Sequence, residues 1–162
     1  MEPMRADSAG TLQQASIYDV LATGREARAG FGLLVLVMRR WPRGLSWADI
    51  NLWLPDAGPS RQLLQDYHVG GLHWGAFLQR YRGEQLADWR HAGYYKTGKG
   101  KAGEHAATMS PLQHIRQLLV EYEKVTLLCH ERDAQCHRYE LLKLVQEAQE
   151  RGRPAPPASV QN

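Results

Sequence analysis

Cysteine is nearly absent from this chain: two residues in 162, at positions 129 and 136. Secreted scaffolds stapled by disulfides use many more and link distant segments, so a reduced, cytoplasmic protein is the expectation. Long apolar runs are absent too. The longest, Phe31 to Met38, is far short of the ~20 residues that span a bilayer, so no membrane association is expected. Met1 to Gln14 has no apolar core, and no secretory leader is expected there. Neither sign of charge dominates: 20 Lys and Arg face 17 Asp and Glu, a net of +3. That balance permits phosphate or nucleic-acid contact without requiring it. No internal repeat occurs.

What is present is the composition of one globular domain, 43% hydrophobic and 23% charged. Residues 1–15 are polar and aperiodic and read as a flexible N-terminal arm. A single α/β domain is expected over 16–150, interrupted by an exposed Gly/Lys-rich insertion at 90–109. Residues 151–162, with Pro154, Pro156 and Pro157, read as a disordered tail. Within the domain, Ser16 to Leu21 reads as a short strand. The continuous apolar run Phe31 to Met38 reads as a strand covered on both faces. Pro59-Ser60 opens a helix carrying Leu63, Leu64 and Tyr67, and a second helix is expected from about Leu72 to Trp89. Ser110-Pro111-Leu112-Gln113 has the pattern of a capped helix start, followed by a stripe of Leu112, Ile115, Leu119 and Tyr122. Val125 to Leu128 reads as a buried strand. A last helix over 135–149 is expected to bury Tyr139, Leu141, Leu142 and Val145. Strand–helix alternation implies a small α/β sandwich.

The segment Cys129-His130-Glu131-Arg132-Asp133-Ala134-Gln135-Cys136-His137-Arg138 is the richest in chemistry. It joins a buried strand to a helix, which is where open α/β sheets place ligand sites. Three readings apply. In the first, the helix start and its basic residues form an anion pocket and stabilise a thiolate. The spacing is not the Cys-x5-Arg of phosphatase or sulfurtransferase loops, because position 135 is Gln. In the second, Cys129, Cys136 and His130 or His137 with Glu131 hold a metal; the ligand types suit zinc, while the spacing matches no common zinc module. In the third, Cys129 is a small buried strand end and His137-Arg138 a solvated helix start.

A second polar cluster, Arg39-Arg40-Trp41-Pro42-Arg43-Gly44, follows the Phe31 to Met38 run. Its arginines can grip phosphate or carboxylate and its indole can stack on a ring. If the two strands are parallel neighbours, both clusters emerge at one sheet edge and share a pocket. The alternative packs Trp41 under a loop and leaves the arginines solvated. Asp56-Ala57-Gly58-Pro59-Ser60 reads as turn chemistry before a helix. Lys96, Lys99 and Lys101 can meet a nucleic-acid backbone, but Gly98-Lys99-Gly100-Lys101 is not a Walker loop.

Taken in order, Val37 to Ser46, Asp56 to Ser60 and Phe77 to Glu84 resemble the YeaO-like branch of the domain of unknown function 488 family. Cys129-His130-Glu131 with Cys136-His137-Arg138 resembles the broader family's Cys-x-Glu and Cys-His-Arg ending. The resemblance spans about residues 16 to 149. It implies a compact three-layer α/β/α sandwich with a small, mostly parallel sheet and both clusters at its C-terminal edge. It also puts Arg39, Trp41, Arg43, Cys129, Glu131, Cys136, His137 and Arg138 on motif positions. Met38 stands where the family usually has Asp, and the 90–109 insertion is longer than expected.

The leading expectation is an enzyme-like protein that binds a phosphate-bearing or otherwise anionic ligand, a nucleotide or nucleic-acid fragment. Arg39, Arg43 and Arg138 would hold the anion, with Trp41 and Cys136 also at the ligand. Glu131 or His137 would be the acid–base group and Cys129 the nucleophile. No motif calls for a cofactor. The rivals are a non-catalytic module binding nucleic acid or protein, and a metal-binding protein using Cys129, Cys136 and His137.

Overall fold

The computed structural model describes residues 10–87, 96–97, 109–131 and 136–152. Most of the 90–109 insertion and of the 151–162 tail lies outside these residues, as do residues 1–9 of the expected arm.

Four parallel strands carry the fold: β1 (Thr11–Ser16), β2 (Leu33–Leu36), β3 (Leu52–Trp53) and β5 (Lys124–Cys129). A two-residue strand β4 (Lys96–Thr97) lies antiparallel against β3. The spatial order is β1-β5-β2-β3-β4, so the last strand in sequence is inserted between the first two. This central strand is buried along its length, as its run of Val125, Leu127, Leu128 and Cys129 demands.

Among the described residues, six α-helices accompany the sheet: α1 (Ile17–Ala22), α2 (Arg25–Arg28), α3 (Arg61–His68), α4 (Trp74–Leu86), α5 (Pro111–Glu121) and α6 (His137–Arg151). One sheet face is covered by α3 to α6, whose Leu63, Phe77, Tyr81, Ile115, Leu119, Leu141 and Leu144 pack on Val35, Val125 and Leu127. The other face is thinner. There α1 contributes Ile17 and Val20, and the β2–β3 connection contributes Leu45, Ile50, Trp41 and Trp47. The architecture is an α/β fold with two unequal outer layers.

Several expectations are corrected. Residues 11–15 are not a loose arm; they are the body of β1. As an edge strand paired only with β5, β1 needs no apolar alternation, and Gln13 Nε2 donates to Thr126 Oγ1 at 2.9 Å. Ser16 to Leu21 is not a strand. Ser16 ends β1 and caps α1, its hydroxyl accepting from the Tyr18 amide. Within the insertion read as a loop, residues 96–97 pair with β3. In α6 the buried apolar residues are Leu141, Leu144 and Val145, whereas Tyr139 and Leu142 are half-buried. Tyr122 is the exposed C-cap of α5 and leaves the stripe, where Leu118 is buried instead. The α3 and α5 starts match the expectation: Ser60 Oγ accepts from Leu63 N, and Ser110 with Gln113 forms a full capping box.

The path of the chain determines where a ligand can sit. The exits of β1 and β2 turn to the thin face, while the exit of β5 between them turns to α6 on the thick face. Adjacent strands that part in opposite directions leave a crevice beyond their carboxyl ends.

Candidate functional site

The crevice holds a cavity of about 560 Å³, within the range of small-molecule sites. Met38, Arg39 and Arg40 enter it from the end of β2. Cys129, His130 and Glu131 enter from the end of β5, and His137 from the start of α6. Arg61, Leu64, Gln65 and His68 line it from one side of α3. The i, i+4, i+7 spacing of 61, 65 and 68 places those three polar side chains on one helical stripe.

The wall on the β2 side is built around one loop. Arg39 forms an ion pair with Asp56 and donates to the Pro59 carbonyl at 3.0 Å and the Gly58 carbonyl at 3.2 Å. From α4, the Tyr81 hydroxyl donates to the Ala57 carbonyl at 2.6 Å and Gln85 Nε2 to the Asp56 carbonyl at 2.9 Å. Glu84 accepts from both the amide and the hydroxyl of Ser60. Position 58 has to be glycine, because a Cβ there would lie 2.4 Å from the Arg39 amide nitrogen. Residues 56–60 are thus clamped from two sides, and they present the first turn of α3 to the cavity.

The floor is a buried sulfur–imidazole cluster. Ligand atoms of Cys129, Cys136 and His137 all lie within 4.8 Å of one another. His137 Nε2 lies 2.5 Å from the Val37 carbonyl oxygen, and its Nδ1 lies 3.8 Å from Cys136 Sγ. A carbonyl can only accept, so Nε2 carries the proton. Burial pushes the His137 pKa down, keeping the ring neutral with its Nδ1 lone pair toward the sulfurs. The Cys136 thiol beside Cys129 holds the latter's pKa well below the usual thiol range; His130 adds a weaker pull in the same direction. The neighbouring Cys129 sulfur correspondingly pushes Cys136 up. The His130 ring is drawn toward its charged form by Cys129, and it lies 3.9 Å from a Glu131 carboxylate oxygen.

Of the residues expected at the site, Arg39, Cys129, Glu131 and His137 line the cavity, and Cys136 lies behind them in the same cluster. Three do not. Trp41 packs at 4.2 Å between ring centroids on Trp47, and its indole donates to the Leu45 carbonyl on the thin face. Arg43 is exposed in that connection and does not line the cavity. Arg138 is buried, and its guanidinium is taken up by Gln14, the Glu131 carbonyl and the Tyr139 hydroxyl. It positions the loop instead of facing a ligand. Arg40 was named in the sequence only within the arginine cluster and His130 only in the metal reading, while Arg61, Gln65 and His68 were not picked out. A polar stripe on α3 was visible there, but nothing in the pattern said that this stripe faces the Cys129 strand.

The charged groups of the described cavity wall are predominantly basic. Arg39 is neutralised by Asp56. Among the described residues, Arg40 and Arg61 have no carboxylate partner, and Glu131 is the one acidic residue lining the cavity. No helix in the described residues is long and apolar enough to cross a membrane.

The family model DUF488-N3a, described as the active DUF488-N3 subclade, matches residues 18–149. No curated protein and no solved structure matches the chain.

Proposed function

The chain belongs to the DUF488-N3a family, and from that premise we propose that it is an enzyme-like protein whose sheet-edge cavity binds a phosphate-bearing or otherwise anionic small ligand. A nucleotide or nucleic-acid fragment is the class that fits. The observation that carries this reading is the convergence of Arg40, Arg61, His68 and His130 on one cavity whose floor is Cys129 and His137. Two guanidinium groups without carboxylate partners among the described residues suit phosphate oxygens, which they can contact in bidentate fashion. Arg43, Arg138 and Trp41 do not line the cavity and take no part in holding the ligand in this reading. Arg39 contributes by holding residues 56–60 in place.

The reactive end comprises Cys129, Glu131 and His137. Glu131, half-buried beside His130, is the acid–base group within reach of a bound ligand. The Cys129 sulfur is available as a nucleophile or as a metal ligand. The description of the matched subclade as active supports a catalytic role over a purely binding one.

The test is calorimetric titration with inorganic phosphate and the four nucleoside monophosphates. At least one should bind, and Arg40→Ala with Arg61→Ala should weaken it by at least about tenfold, the effect of losing one charge-assisted contact. Binding that is indifferent to both substitutions, or no binding by any probe, would overturn the reading.

A further inference from the structure

We propose that Cys129 Sγ, Cys136 Sγ and His137 Nδ1 hold one zinc-type divalent metal ion, with its open coordination position facing the cavity.

The distances come first. A tetrahedral ion with Zn–S of about 2.3 Å and Zn–N of about 2.1 Å sets its ligand atoms roughly 3.6–3.8 Å apart. Cys136 Sγ and His137 Nδ1 are 3.8 Å apart, and no pair in the cluster exceeds 4.8 Å. Small side-chain rotations close that gap.

The imidazole is already arranged for such a role. Metal-ligating histidines donate their second ring N–H to a carbonyl or carboxylate, which fixes the tautomer and aims the other nitrogen. His137 does this with the Val37 carbonyl at 2.5 Å. Val37 directly follows β2, and its amide donates to the Leu128 carbonyl on β5. The aim of Nδ1 is therefore set by backbone, not by a mobile side chain. Cys136 occupies the N-cap position of α6, yet its side chain makes no capping bond. Its sulfur is turned into the cluster instead.

Charge and burial agree with this assignment. All three residues are buried, and two thiolates with a neutral imidazole balance a dication, so the metal and its three ligands carry no net charge. The paired thiolates select zinc-type ions over magnesium or calcium.

The open position follows from the lining. Cys129 and His137 face the cavity while Cys136 does not, so three protein ligands close the ion from behind and leave the cavity side free, as in catalytic zinc sites. An anionic ligand held by Arg40 and Arg61 would meet the metal there. Only this last step rests on the function proposed above; the three-ligand set does not.

The test uses the full chain stripped by a chelator and titrated with Co²⁺. One equivalent should bind, with thiolate-to-cobalt charge-transfer bands in the near ultraviolet and intense tetrahedral d–d bands. Zn²⁺ should displace it. Cys136→Ser should weaken Zn²⁺ binding by more than about 100-fold, since losing even an outer-shell partner costs 10–100-fold. Wild-type protein serves as a second measure that needs no variant: Zn²⁺ should slow alkylation of both cysteines and a chelator should restore it. Cobalt spectra without charge-transfer bands, or alkylation indifferent to Zn²⁺, overturn the proposal. Phosphate titration of metal-free and metal-loaded protein separates the two claims. Phosphate binding with no thiolate–cobalt bands leaves the cavity reading standing and removes the metal. Thiolate–cobalt bands with no phosphate or nucleotide binding in either state do the reverse.

Discussion

Arg138 and Gln14 lie 124 positions apart in sequence, and the arginine Nε donates to the glutamine amide oxygen at 2.6 Å. The same guanidinium donates to the Glu131 carbonyl and, at 3.4 Å, to the Tyr139 hydroxyl. One buried side chain thus ties the edge strand β1, the loop after β5 and the first turn of α6. Arg138→Met should destabilise the protein by roughly 2–4 kcal/mol, because buried acceptors lose charged donors. Arg138→Lys should not restore stability, since a single ammonium cannot span three directions. Urea denaturation checks both. Phosphate affinity, measured where the variants remain folded, should be unchanged, as a positioning role requires.

Gly58→Ala should lower the melting temperature by several degrees, at about 2–4 °C per kcal/mol for a chain of this size. The added Cβ meets backbone at 2.4 Å from the Arg39 nitrogen, so the loop itself has to move. It should also weaken ligand binding, because the shift carries Arg61 away from the cavity. Thermal melts and phosphate titration of the same preparation check the pair.

Tyr81→Phe removes one hydroxyl from a buried position and leaves the Ala57 carbonyl without its 2.6 Å donor. The expected cost is about 1–2 kcal/mol. The ring stays in edge contact with His137, so the Co²⁺ spectrum should be unaffected. Loss of metal together with stability would contradict this division of roles.

Glu147 predicts a pH effect. Its hydrogen bond to Arg82 holds its carboxyl below the usual 4.5. A depressed carboxylate pKa contributes stability that is fully present above the unfolded-state value and is lost as pH falls through the folded one. Glu147→Gln should therefore be less stable than wild type at neutral pH, with the difference shrinking below about pH 5. Melting temperatures of both proteins from pH 3 to 7 check the sign. A difference that grows on acidification would contradict it.

The features legible in the sequence were those dictated locally. Ser60 and Ser110 announced helices because a hydroxyl before a helix accepts one of its unpaired amides. Val125 to Leu128 announced a central strand because a strand covered on both faces has no polar alternation. The clustering of Cys129, Cys136 and His137 was visible for the same reason: a short connection between strand and helix keeps them close. β1 was not legible, because Gln13 and Gln14 derive their partners from Thr126 and Arg138, far along the chain. β3, only two residues long, is a strand only through pairing with β2 and β4. Arg138 read as an anion holder or as part of a solvated helix start, since its burial depends on what packs over it. The α3 side of the cavity was missed for the related reason that a polar stripe at 61, 65 and 68 looks the same whether it faces water or a ligand.

The most direct test of the cavity as an anion site is a phosphate titration followed by backbone amide NMR shifts in the full chain. The account predicts saturable shifts concentrated at residues 38–40, 60–68 and 129–131, absent from the Trp41–Trp47 side. Shifts spread over the surface without saturation, or centred elsewhere, would contradict it.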